Sequence, residues 1–111
     1  MDCDRFIELA QDHAAVDYGS KPSVRAGNSA AKELRAMARA ALSSPQGTEQ
    51  LIGLINHPTA GSWAAYTALE HGDLSEFQKA RCLGIIQALA RGDSLAAIGA
   101  MAWLSHRGHE G

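Results

Sequence analysis

Residues 51–69 read Leu51-Ile52-Gly53-Leu54-Ile55-Asn56-His57-Pro58-Thr59-Ala60-Gly61-Ser62-Trp63-Ala64-Ala65-Tyr66-Thr67-Ala68-Leu69. Leu51, Ile52, Leu54 and Ile55 suit a short apolar helix, and Asn56-His57-Pro58 ends it, because a proline disfavours helical geometry in the residue before it. A second helix begins near Ser62, carries Trp63, Ala64 and Ala65, and closes on Leu69. Another pair of apolar segments follows, so Leu51 to Leu104 reads as two consecutive helical hairpins. Helix, tight turn and helix, with small residues in the second member, is the unit of stacked helical repeats. Such units seldom perform chemistry and commonly present a surface to another macromolecule.

The rest of the composition agrees with an all-α domain. A chain of 111 residues fits one domain, since domains cluster around ~100–150 residues. Apolar residues make up 46% and charged residues 20%, so the chain can bury a core. The aromatic share is only 5% and alanine is abundant, which suits close helix packing better than a sheet. No alternating apolar–polar run of strand type stands out. A net charge of −2 makes the whole molecule no magnet for nucleic acid. Met1-Asp2-Cys3-Asp4-Arg5 lacks the basic start and apolar run of a signal peptide, and the apolar run from Leu95 to Leu104 is too short to span a membrane. With Cys3 and Cys82 far apart, a reduced, cytoplasmic chain is expected.

The spacing predicts helices from Asp2 or Asp4 to about Asp17, and from Ser23 (as cap) to about Leu42. Further helices are expected from Thr48 to Ile55, Ala60 to His71, Asp73 or Ser75 to Arg91, and Asp93 or Ser94 to His106. Tyr18-Gly19-Ser20-Lys21-Pro22 and Ser43-Ser44-Pro45-Gln46-Gly47 read as breaks, and 108–111 as a frayed tail. The short connections make successive helices antiparallel neighbours.

Asn28, the segment Ser62-Trp63-Ala64-Ala65-Tyr66-Thr67-Ala68-Leu69 and the terminal Gly92-Asp93-Ser94-Leu95-Ala96-Ala97-Ile98-Gly99-Ala100-Met101-Ala102-Trp103-Leu104 carry a family resemblance. The chain resembles a bacterial family of unknown function with HEAT/armadillo-like helical-hairpin folds. That resemblance implies a stack of about six antiparallel helices. Because small proteins of this type are often encoded beside bacterial toxins, it also implies an immunity protein that neutralises a cognate toxin. The family supplies no catalytic residue to carry over.

The last helix has no polar side chain from Leu95 to Leu104. Leu95, Ile98, Met101 and Ala102 share one face, and Ala96, Gly99, Ala100 and Trp103 the other. A surface helix keeps one polar face, so Trp103 with Ala96, Gly99 and Ala100 is expected to meet a partner or a second copy. The alternative is a central helix with both faces internal. Trp63 and Tyr66 lie three apart; Trp63, flanked by alanines, reads as core, and Tyr66 as core or as a binding anchor.

Asp4, Glu8 and Asp12 form an acidic stripe on the first helix, whereas the second carries Lys21, Arg25, Lys32, Arg35 and Arg39. These charges either pair across neighbouring helices, or the carboxylates speed capture of a basic toxin surface. Phosphate contacts by the basic helix are not expected, for lack of interleaved aromatics. His106 and His109 are three apart, but Gly108 intervenes and no Cys-x-x-Cys or His-Glu-x-x-His pattern adds ligands, so neither metal nor cofactor is expected. His57 reads as turn chemistry and His71 as a helix-end residue. Cys82, among Leu83, Ile85 and Ile86, reads as a buried inert thiol, and no catalytic constellation appears. The expected protein is a non-enzymatic binding module; the alternatives are a homo-oligomeric scaffold and a small metal- or thiol-dependent enzyme.

Overall fold

Serine hydroxyls set the start of three helices in the computed structural model, which describes residues 1–17 and 19–110, the side chains of 95 and 107–110 excepted. Ser20 accepts from the Ser23 backbone amide and opens α2 (Lys21–Ala41); Ser44 accepts from Gly47 and opens α3 (Pro45–Ile52). Ser75 exchanges hydrogen bonds with Gln78 in a full capping box that opens α5 (Glu76–Ala90). Asp2 caps α1 (Cys3–Ala14) by accepting from the Arg5 backbone amide. With α4 (Gly61–His71) and α6 (Leu95–Glu110), this makes six helices and no strand among the described residues. The chain is all-α, and none of these helices is long and apolar enough to cross a membrane.

Two starts lie earlier than the sequence implies. Pro22 and Pro45 sit within the first helical positions instead of ending the preceding breaks. A proline there loses nothing, because its missing N–H is one that the first turn leaves unpaired anyway. Thr48, expected to start α3, is instead buried inside it, and its hydroxyl donates to the Ser44 carbonyl at 2.9 Å. The first helix stops at Ala14, short of Asp17, and α6 continues through 108 to Glu110, where a frayed tail was expected. Tyr18 and Gly111 fall outside the described residues.

The helices pack largely in chain order. α2 lies against α1, α3 and α4; α4 lies against α3 and α5; α5 lies against α6. The principal-axis extents are 42 × 30 × 22 Å. Small residues on the central helices, Ala30 and Ala38 on α2 with Ala64, Ala65 and Ala68 on α4, let the backbones approach. Phe6, Leu34, Leu51 and Ile86 fill the volume between them and are fully buried. Each such side chain contributes about 1.5–3 kcal/mol by leaving water.

The segment 53–60 packs tightly under the start of α4. A Cβ on Gly61 would strike the Ile55 carbonyl oxygen, so only glycine fits there. Ala60 provides no side-chain cap for α4. His57 takes over: its Nδ1 accepts from the Thr59 and Ala60 amides, each at 3.1 Å. The turn role expected of His57 is what the structure shows.

Candidate partner-binding cleft

Two helical lines face each other across the C-terminal half. Ser62, Trp63, Tyr66 and Glu70 follow one side of α4, while Ala96, Gly99 and Trp103 follow one side of α6. The far end of the gap is closed by Trp103, whose indole Nε1 donates to Glu70 Oε1 at 2.9 Å. The Tyr66 and Trp103 rings meet edge-on, with centroids 5.3 Å apart and planes at 66°. Below that closure lies an open cleft of about 310 Å³, lined by Ser62, Trp63, Tyr66, Leu89, Ala96 and Gly99. Apart from the Ser62 and Tyr66 hydroxyls its wall is apolar.

Gly99 lines the cleft. An interior helical glycine costs roughly 0.5–1 kcal/mol against alanine and usually serves close approach of another backbone. Here a Cβ at 99 would meet nothing within 4 Å, so no element of the described structure uses the space. Large partly exposed rings opposite a helix of small residues form a concave, apolar receptacle.

The ring row extends beyond the cleft. The His13 ring of α1 meets Trp63 at 5.1 Å and 83°, and the Arg35 guanidinium of α2 lies 5.6 Å from the Trp63 centroid. Trp63 is therefore half-buried at the meeting point of α1, α2 and α4, where the sequence placed it in the core. Burial, and then the neighbouring Glu70 carboxylate, push the Tyr66 phenol above its ordinary value. Tyr66 keeps its proton and remains a hydroxyl donor at neutral pH.

Of the residues singled out in the sequence, Trp103, Ala96, Gly99 and Tyr66 come together here. Ala100 does not: it is fully buried, and with Ala97 it forms the inward line of α6. The most open apolar face of α6 is the opposite one, where Ile98 and Met101 are 61% and 52% exposed. Trp103, expected to be the bare face of this helix, is half-covered by α4. The side chains of Leu95 and His109 lie outside the described residues. Trp63, Leu89 and Ser62 complete the cleft and were missed as surface residues, since their exposure depends on how far α6 stands off from α4.

The acidic stripe takes no part in the cleft lining. Asp4, Glu8 and Asp12 are exposed on α1, and Asp12 borders a separate groove with Arg5 and Glu33. The expected pairing of α1 carboxylates with α2 cations is reversed in sign. Arg5 of α1 bridges Glu8 at 2.9 Å and Glu33 of α2 at 3.1 Å. Cys82 is fully buried; burial pushes its thiol up, against the opposing pull of Arg81. A high-pKa thiol enclosed by apolar side chains is a poor nucleophile. The protein-family models, the curated proteins and the solved structures compared with this chain yield no match.

Proposed function

We propose that the chain is a protein-binding helical module of HEAT-like design, in which the α4–α6 cleft receives an apolar side chain of the partner. The observation that carries this reading is the pairing of Trp63 and Tyr66 with an unfilled space over Gly99. Aromatic side chains around a water-accessible apolar recess are the usual anchors of protein recognition. The narrower form, an immunity protein that neutralises a cognate bacterial toxin, is supported by the family resemblance of 62–69 and 92–104. Occlusion or locking of the toxin through direct contact is the mechanism that a rigid helical surface offers.

Gly99→Leu tests the cleft. Its side chain enters open space, so the fold should survive while the cleft fills. Co-expression with the product of a neighbouring gene tests the toxin: rescue of growth by the native chain and loss of rescue by Gly99→Leu are expected. Toxicity that persists beside the native chain rejects the immunity role. Binding that Gly99→Leu leaves untouched rejects the cleft.

A second reading, self-association, draws on a different observation. Phe77 is 74% exposed, and Ile98 and Met101 are more than half exposed, on helices that close the C-terminal end of the packing order. Light scattering across concentration distinguishes a monomer from a scaffold built of copies.

A further inference from the structure

Beside the aromatic row runs a charged feature that the cleft alone does not explain. Lys21, Arg25, Lys32, Arg35 and Arg39 are all exposed and, with Asn28, follow one another at steps of three and four residues. At 3.6 residues per turn, the span from Lys21 to Arg39 is about five turns, so these side chains form a straight stripe about 27 Å long. Among the described residues none of the five makes an ion pair. The one carboxylate on α2, Glu33, is taken by Arg5.

The stripe is not a by-product of a basic chain, because the whole molecule has a net charge of −2. Only Arg39, in the last turn of α2, is favoured by the helix dipole. Like charges at these spacings repel, and Lys21 stands in the first turn, where the dipole favours a carboxylate and none is present. A cationic line largely without local compensation, on an acidic protein, suits an acidic ligand outside it. Arg35 joins the line to the cleft, since its guanidinium rests over Trp63, which is also a wall of the cleft.

On the reading that this is a protein-binding cleft, we infer that the partner presents an acidic segment: carboxylates along the α2 stripe, followed by an apolar or aromatic side chain seated over Gly99. The charge matches on this face are opposite to those of a basic partner drawn to Asp4, Glu8 and Asp12. A protein segment fits better than nucleic acid. No aromatic side chain alternates with the α2 cations, and Glu70 at the closed end of the cleft breaks the positive field that a continuous phosphate backbone would need. With Arg35 over its ring and His13 at right angles to it, Trp63 offers a wall for a single side chain but no platform for successive bases. Separate carboxylates on a peptide avoid both obstacles.

Selection from a phage-displayed library of random dodecapeptides on the full-length chain provides the test. Peptides rich in Asp and Glu with one Leu, Phe or Trp are expected, and their affinity falls as salt rises. A Lys32→Glu/Arg39→Glu double variant, altered only at exposed positions, should weaken them by at least about tenfold at low salt, with circular dichroism unchanged. Gly99→Leu should abolish them. Neutral or basic peptides that still depend on an open cleft would overturn the acidic-partner inference and leave the binding module standing. A library that enriches no peptide beyond those kept by an unrelated helical protein would overturn both. A single-stranded oligonucleotide that displaces the selected peptides at lower concentration would overturn the inference in favour of nucleic acid.

Discussion

At the scale of single residues, polar groups do work that the chain cannot delegate to its alanines. His57 illustrates this. Two backbone amides share its Nδ1 at the entry to α4, where Ala60 has nothing to offer. His57→Ala should cost about 1 kcal/mol, the usual value of a lost helix-start cap. His57→Asn should recover part of it, because an asparagine oxygen reaches an amide two residues on; thermal unfolding of the three proteins measures the order. Trp103→Phe keeps the ring contact with Tyr66 but removes the donor to Glu70, and should lose about 0.5–1.5 kcal/mol. Tyr66 and Cys82 carry a pH signature. Both are held above their ordinary values, so folding favours the protonated forms. The stability they supply is whole below the unfolded-chain values, about 8.5 for cysteine and 10 for tyrosine. It is lost as pH rises through the higher folded values. Chemical denaturation from pH 8 upward should therefore show falling stability, and Tyr66→Phe should flatten the part contributed above about pH 10. An unchanged slope in that variant would remove Tyr66 from the explanation.

At the scale of elements, some of the fold was open to reading and some was hidden by its own physics. The break between α4 and α5 was legible, with the start of α5 left at Asp73 or Ser75; the capping box of Ser75 and Gln78 decides for Ser75. Pro22 and Pro45 misled for the opposite reason: the same residue stops one helix and starts another, and only the backbone distinguishes them. α6 was harder still. A helix apolar all round has no amphipathic signal, so nothing in 95–104 distinguishes the buried Ala97–Ala100 line from the exposed Ile98 and Met101. The candidate cleft was half legible. Trp103 and Tyr66 stood out as aromatics, but the Trp103–Glu70 hydrogen bond spans 33 positions and local spacing cannot encode it. Two glycines make the distinction measurable. Gly61→Ala sets a methyl group against the Ile55 carbonyl and should cost about 1–3 kcal/mol. Gly99→Ala meets open space and should gain about 0.5–1 kcal/mol from helix propensity. If both destabilise equally, the space over Gly99 is occupied and the cleft does not exist.

At the scale of the whole molecule, the packing order leaves its two ends chemically unlike. The α1 end displays Asp4, Glu8 and Asp12, whereas the α5–α6 end displays Phe77, Ile98 and Met101 with Arg81 and Arg91. A helix on the surface ordinarily keeps its outer face polar, and α6 exposes Ile98 and Met101. Each exposed apolar side chain costs little by itself, but a cluster of them favours burial against another surface. Were that surface the opposite end of another copy, association would run head to tail. Ile98→Lys with Met101→Lys removes the apolar part while altering no buried residue, so the folded monomer should retain its stability within about 0.5 kcal/mol. Concentration-dependent mass in light scattering that this double variant abolishes would assign the end face to self-association. A native chain that stays monomeric at high concentration would exclude that assignment and leave the cleft beside Trp63 as the proposed docking surface.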